Sequence, residues 1–141
     1  MDTKLKADIS EHVVIARLLE QGAHVLRPIG DRLPYDLVVE YRGRFIKIQV
    51  KRAWLRGKAY IVDSRRTKTN RRRMLRKPYQ CGDFDYAIVH IPDGKIVYIM
   101  PILEFLSYRS EITFIENSSR QRRPRSWKFR EAWHLLQNSN Q

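Results

Sequence analysis

A carboxylate at Asp36, an amide at Gln49 and an ammonium at Lys51 sit in two apolar stretches. These are Asp36-Leu-Val-Val-Glu40 and Phe45-Ile-Lys-Ile-Gln-Val-Lys51, joined by Tyr-Arg-Gly-Arg. Together the three groups suit metal-dependent cleavage of a phosphodiester. Such cleavage needs a divalent ion to polarise the phosphate, generate hydroxide and stabilise the leaving oxygen. Asp36 is the expected metal ligand, and Gln49 can add its carbonyl oxygen to the same ion. Lys51 is expected to position or activate the attacking water and to neutralise developing charge.

A β-hairpin is the element that must position them. If its loop holds two or four residues centred on Arg42-Gly43, residues whose numbers sum to 85 lie opposite each other. Asp36 then faces Gln49, with Cβ atoms about 4.5–5.5 Å apart. Gln49 and Lys51 lie about 6.7 Å apart along one strand. Leu37, Val39, Ile46, Ile48 and Val50 form the apolar face, and Asp36, Lys47, Gln49 and Lys51 the polar one. A one-residue slip would exchange the faces and bury Asp36 among isoleucines, at a cost of several kcal/mol for an unpaired charge. The even loop is therefore expected, although Arg-Gly is a weaker turn than Asn-Gly.

Glu11 is a fourth candidate. The spacing predicts a helix with Thr3 as N-cap and Gly22 just past its end, striped by Glu11, Val14, Ile15, Leu18 and Leu19. A carboxylate on that stripe is costly unless paired or metal-bound, so Glu11 is expected to reach past the stripe's edge to the metal. Glu40 lies near the loop and reads as structural or solvated.

Further along, Ala23 to Pro28 and Tyr60 to Asp63 read as strands, with Trp54 to Lys58 a connector before the second. Phe84 to Ile91 and Lys95 to Met100 are strands joined by Pro92-Asp93-Gly94. Pro101 can open a short helix through Tyr108, and Glu111 to Glu116 is a last strand. Ser126 could cap a final helix with Phe129, Trp133 and Leu136 as its stripe. The pattern predicts an α/β or α+β fold in one domain over 1–141, a mixed central sheet flanked by helices. His12, His24, His90 and His134 lack metal spacing; His90 and His134 are expected to be core or surface residues. The tryptophans are read as packing residues.

Two arginine-rich segments interrupt this order. In Arg65–Lys77 eight of thirteen residues are basic, which suits phosphate neutralisation. Arg65, Arg66, Lys68, Thr69, Asn70, Arg71, Arg72, Arg73, Arg76 and Lys77 are candidate DNA contacts there, mixing backbone and base-reading types. A second basic segment, 120–130, adds Arg120, Arg122, Arg123 and Arg125. Apolar elements bracket both, so both are expected as ordered loops on one surface.

The formal net charge of +13 points to a polyanionic partner. The longest apolar run, Ile96 to Leu103, is too short for a membrane span, and no signal peptide opens the chain. Cys81 is the sole cysteine, which excludes an internal disulfide or a CxxC zinc site. A reducing, cytoplasmic compartment follows as the expectation, and any metal should be oxygen-bound, as Mg²⁺ is.

Glu11, Asp36 and Gln49-Val-Lys51 resemble the motif of the PD-(D/E)XK nuclease superfamily. The whole chain is similar to the group I intron-encoded homing endonuclease of that class found in cyanobacteria. Gly30-Asp-Arg-Leu33, Tyr35-Asp-Leu-Val38, Val62-Asp-Ser-Arg-Arg-Thr67, Thr69-Asn-Arg-Arg72 and Glu131-Ala-Trp-His-Leu135 carry that closer likeness. Tyr35 breaks the literal Pro-Asp pair, and Gln49 replaces the usual acidic residue, removing a negative charge that Glu11 could supply. The resemblance implies a restriction-endonuclease-like core with Mg²⁺ or another divalent ion such as Mn²⁺. It also implies a double-strand break in the intronless allele of a host gene, expected to be a tRNA gene, and a homotetramer on double-stranded DNA. A Holliday-junction resolvase-like nuclease and a non-catalytic nucleic-acid-binding module are the alternatives.

Overall fold

The computed structural model describes residues 1–69, 74–117 and 122–138, with backbone alone for 66–69 and 74–76. Its centre is the hairpin of β2 (Leu37–Tyr41) and β3 (Arg44–Arg52). Leu37 pairs with Ile48 and Tyr41 with Arg44, so the register sums to 85 and the loop is Arg42-Gly43. Both loop residues have positive φ, 53° and 78°, the backbone a tight primed turn needs. Leu37, Val39, Ile46 and Ile48 are accordingly buried together.

Five strands make the central sheet, in the order β1-β2-β3-β8-β9. β1 (His24–Leu26) is antiparallel to β2, and β8 (Tyr86–Ile91) runs parallel to β3. β9 (Ile96–Pro101) returns antiparallel along β8. The sheet is mixed, as the pattern predicts.

Each face of the sheet carries its own core. On one, Leu37, Ile48, Ile88 and Ile99 pack with Val14 and Leu18 of α1 (Thr3–Glu20) and with Trp133 and Leu136. On the other, Ala87, Val89, Tyr98 and Met100 pack with Phe84, Phe105, Ile112 and Phe114. Phe105 belongs to α2 (Ile102–Leu106). Ile112 and Phe114 belong to β10 (Glu111–Phe114), in a second sheet ordered β10-β5-β4.

Several expectations are corrected. Asp2, not Thr3, caps α1, its side chain accepting the Leu5 amide at 2.8 Å. Leu19 leaves the apolar stripe and is exposed, while Ser10 is buried. Residues 54–58 are not a plain connector. Trp54–Arg56 is a strand, β4, that pairs with β5 (Ala59–Asp63) across Gly57-Lys58. Gly57 has φ +63°, and a leading glycine is the signature of a two-residue hairpin turn.

The first basic segment is not a loop either. β6 (Arg65–Thr69) and β7 (Met74–Pro78) pair antiparallel as a two-stranded ribbon. The final helix is broken into a 3₁₀ turn, Arg125–Phe129, and a short helix α3, His134–Gln137. Between them Glu131 has φ +51° and Arg130 forms a β-bridge with Tyr98. That pairing outweighs helical spacing. Ser126, expected as a cap, instead donates its hydroxyl to the Thr113 carbonyl at 2.6 Å.

Candidate active site

β3 outruns β2. Its pairing with β2 reaches Ile48, yet it continues to Arg52 alongside β8. Residues 49–52 therefore have an open edge, and Asp36 closes only its start. The Asp36 amide donates to the Ile48 carbonyl at 2.9 Å. Its Oδ2 accepts the Val50 amide at 2.8 Å. A cavity of about 230 Å³ lies at this edge, lined by Glu11, Asp36, Gln49 and Arg52 with Ser10 and Val50 among its walls.

Three side-chain oxygens carry no hydrogen bond among the described residues. Glu11 uses Oε1 for Arg27, at 2.9 Å from Nη2 and 3.1 Å from Nε, leaving Oε2. Asp36 keeps Oδ1, and Gln49, whose Nε2 donates to the Val50 carbonyl at 3.3 Å, keeps Oε1. No buried side-chain oxygen or nitrogen among the described residues lacks a partner, so these three oxygens are open to space. Two carboxylates and an amide oxygen are hard donors, and they fit Mg²⁺ or Mn²⁺ better than a softer ion. Burial pushes the Asp36 carboxyl up to about 6, and Glu11 nearby raises it further, against the Val50 amide and Lys51. A bound cation would relieve both penalties.

Lys51 stands beside this cavity rather than in its wall. It shares the Gln49 face of β3, and its Nζ donates to the Arg65 carbonyl at 3.2 Å and lies 4.9 Å from the Tyr79 ring centre. Burial brings its ammonium down to about 8, resisted by Asp63 and Asp36. The structure thus brings Glu11, Asp36 and Gln49 to one cavity and places Lys51 within electrostatic reach of Asp36. The sheet face alone does not gather all four, because Glu11 approaches from α1 around the open edge. Arg52, not expected from the motif spacing, shares the cavity. Its position one residue beyond Lys51 was the signal the sequence offered.

A roomier cavity, about 500 Å³, lies on the outer side of α1 among Leu5, Ile9 and Val13. Its surface is mostly apolar, with Asp8 and Glu20 as its carboxylates, whereas the smaller cavity gathers two carboxylates and an amide oxygen and is the better candidate for chemistry. Among the described residues no group of three His, Cys, Asp or Glu side chains is placed to hold a metal. A third protein oxygen in the smaller cavity, beside Glu11 and Asp36, would have to come from the Gln49 amide.

The basic candidates divide. Arg65 is bound by Asp63 through Nε and Nη2, each at 3.0 Å. Arg123 donates to the Ile115 and Asn117 carbonyls and stacks 3.9 Å from the Trp127 ring centre. Arg125 bonds Ser107 and lies over Tyr108. Lys77 and Arg122 are exposed. Asn70, Arg71, Arg72, Arg73 and Arg120 lie outside the described residues, as do the side chains of Arg66, Lys68, Thr69 and Arg76. No helix among the described residues is long and apolar enough to cross a membrane.

Sheet order, open edge and donor set together define a nuclease-type core, and comparison with known proteins gives it a family. The PD-(D/E)XK endonuclease family matches residues 1–136, and the chain belongs to it. Its structure is similar to that of a bacterial homing endonuclease, I-Ssp6803I, at 48% identity and a TM-score of 0.89. That likeness covers 96% of this chain and 93% of the other. No curated protein matches the chain.

Proposed function

We propose that this chain is a site-specific homing endonuclease. It makes a metal-dependent double-strand break, by phosphodiester hydrolysis, in the intronless allele of a host gene, a tRNA gene being the first to test. The observation that carries the proposal is the set of free oxygens on Glu11, Asp36 and Gln49 in one cavity beside a depressed lysine. The likeness to a bacterial homing endonuclease supports the substrate class.

Asp36 and Gln49 would hold a divalent ion, with Glu11 completing the set. When bound, the ion supplies charge to the phosphate and acidifies its attacking water. Lys51, brought down to about 8 by burial, exists partly as the free amine near neutral pH. It can therefore accept a proton from that water. The basic ribbon of β6 and β7, with segment 120–130, would hold the duplex by its phosphates. On this reading residues 1–141 are one nuclease domain, cytoplasmic and nucleoid-associated, and assemble as a homotetramer, since one small copy reaches only part of a long site.

The test is incubation of the protein and Mg²⁺ with an intronless duplex, an intron-containing duplex and a four-way junction. A discrete double-strand cut confined to the intronless duplex is expected, with cutting lost in Asp36→Ala and Lys51→Ala. Junction cutting alone would assign a resolvase instead. Tight binding without cutting would make the chain a binding module.

A further inference from the structure

Arg52 shares the cavity with the free oxygens, and its surroundings fix it there. Its Nη1 donates to the Lys6 carbonyl and to the Ser10 hydroxyl, each at 3.1 Å. Ser10 Oγ lies 2.8 Å from His90 Nδ1, and His90 Nε2 lies 2.9 Å from the Gly94 carbonyl. Ser10 is 1% exposed and His90 2%.

The polarity of this chain follows from its end. A carbonyl only accepts, so His90 Nε2 carries a hydrogen, and in the neutral ring Nδ1 is an acceptor. Ser10 must then donate to Nδ1, which leaves its oxygen lone pairs to accept from Arg52. The links run one way, from guanidinium to hydroxyl to imidazole to carbonyl. The Ser10 hydroxyl, committed to His90 as donor, offers its lone pairs to the guanidinium, and this holds Arg52 in place. The backbone adds to this, since Arg52 and His90 are direct partners across the parallel β3–β8 pairing.

Only one of the three guanidinium nitrogens is used. Nε and Nη2 donate to nothing among the described residues, and neither is buried without a partner, so both are open. Two adjacent guanidinium N–H groups match two oxygens of one phosphate. Arg52 also lines a neighbouring cavity of about 430 Å³ with Lys6 and Trp54. It therefore stands where the wall of the metal-type site meets a second depression.

We infer that Arg52 binds a non-bridging phosphate oxygen of the DNA strand being cut, and that Ser10 and His90 are positioning residues for its guanidinium. This rests on the nuclease reading of the same cavity. Arg52 supplies a permanent positive charge there, which fits a site where Gln49 has removed a carboxylate and with it room for metal charge. Lys51 does not duplicate the role, because it points to the other sheet face.

The test compares wild type, R52K, R52Q and S10A in two readouts. The first is cleavage of the intronless duplex with Mg²⁺ at saturating protein. R52Q should cut about 100-fold more slowly with duplex affinity changed less than about threefold, since the wider phosphate contacts persist. R52K should recover part of the rate. S10A should cut about tenfold more slowly at unchanged affinity. The second readout does not need cutting. The Arg52 Nε–H NMR signal, assigned by its absence from R52K, should shift when thymidine 5′-monophosphate is added with Mg²⁺, and the shift should shrink in S10A. R52Q cutting within twofold of wild type, or an Arg52 signal that ignores the phosphate, would overturn the inference. Failure of wild type to cut any duplex would overturn the nuclease reading instead, and the NMR signal would still judge Arg52. If R52Q does not fold, R52K and S10A decide.

Discussion

Two charged clusters flank the same sheet, and they are perturbed in opposite directions. Arg17 and Glu131 tie α1 to the C-terminal segment. Glu131 accepts from Arg17 Nη2 at 2.5 Å, the Val97 amide at 2.8 Å and Trp133 Nε1 at 3.0 Å. Arg17 also bonds the Lys95 carbonyl. Burial works against the Glu131 charge, but these partners outweigh it and its carboxyl falls below the ordinary range. Arg17 rises, chiefly through its hydrogen bond to Glu131.

Asp36 and Lys51 are also partly buried and feel each other's charge, yet burial dominates both. Asp36 rises to about 6 and Lys51 falls to about 8. The difference is partner saturation. Glu131 is surrounded by donors, whereas Asp36 has one backbone donor, a like-charged Glu11 and an open oxygen. A cluster that has its partners holds the fold together, and one that lacks them leaves oxygens open to a ligand.

The largest effect should come from Lys51. Lys51→Arg preserves the charge but removes any neutral amine, because guanidinium does not deprotonate. Cleavage should fall by about 1,000-fold or more, as far as in Lys51→Ala, read as the single-turnover rate at pH 8. A Lys51→Arg protein that cuts well would mean the residue acts only as a charge.

Next in size is the saturated cluster. Glu131→Ala strands the Trp133 N–H and removes the main carboxylate partner of Arg17, and should cost about 3 kcal/mol in denaturant unfolding. The rate per folded molecule should hold. If cleavage collapsed while stability did not, the two clusters would not be separable as drawn.

Stability as a function of pH sharpens the contrast at smaller scale. Lys51 has its folded pKa lowered, so its charged form destabilises the fold at pH 7. That penalty fades as pH rises from about 8 toward the unfolded value near 10.5. In EDTA, Lys51→Met should therefore be about 1–2 kcal/mol more stable than wild type at pH 7, with the gain shrinking above pH 8. An unchanging gap would assign the gain to packing instead. Arg17→Met should be less stable throughout that range.

The hairpin turn gives the smallest effect. Arg42 holds a positive φ of 53°, a conformation asparagine adopts more easily. Arg42→Asn should add about 0.5 kcal/mol, seen as a small rise in melting temperature. A loss would mean that the Arg42 stacking on Tyr41, at 5.3 Å, matters more than the backbone.

Local pattern made the hairpin legible. The alternation of Leu37, Val39, Ile46 and Ile48 leaves one register that keeps Asp36 out of the core, and that register is the one formed. What sequence could not convey came from distant pairings. The open edge exists because β3 finds β8 across more than thirty residues of chain. Lys51 is turned down by Tyr79 and Arg65, which no spacing places beside it. His90 reads as core, and it is buried, yet its partner Ser10 lies 80 residues away. The C-terminal helix fails for the same reason, as Arg130 bridges to Tyr98 and Glu131 turns toward Arg17. The β4–β5 hairpin was readable from Gly57 alone.

The central claim is that Asp36 trades stability for function, and Asp36→Asn measures both in one protein. Its folded pKa is raised, so the charged carboxylate destabilises the metal-free fold above about pH 6. The penalty is relieved as pH falls toward the ordinary value of 3.8. Unfolding in EDTA at pH 7.5 should show Asp36→Asn more stable than wild type by about 1–2 kcal/mol, with the gap closed near pH 4. The same preparation with Mg²⁺ should not cut DNA. An Asp36→Asn protein that is less stable at pH 7.5, or that cuts at the wild-type rate, would contradict the account.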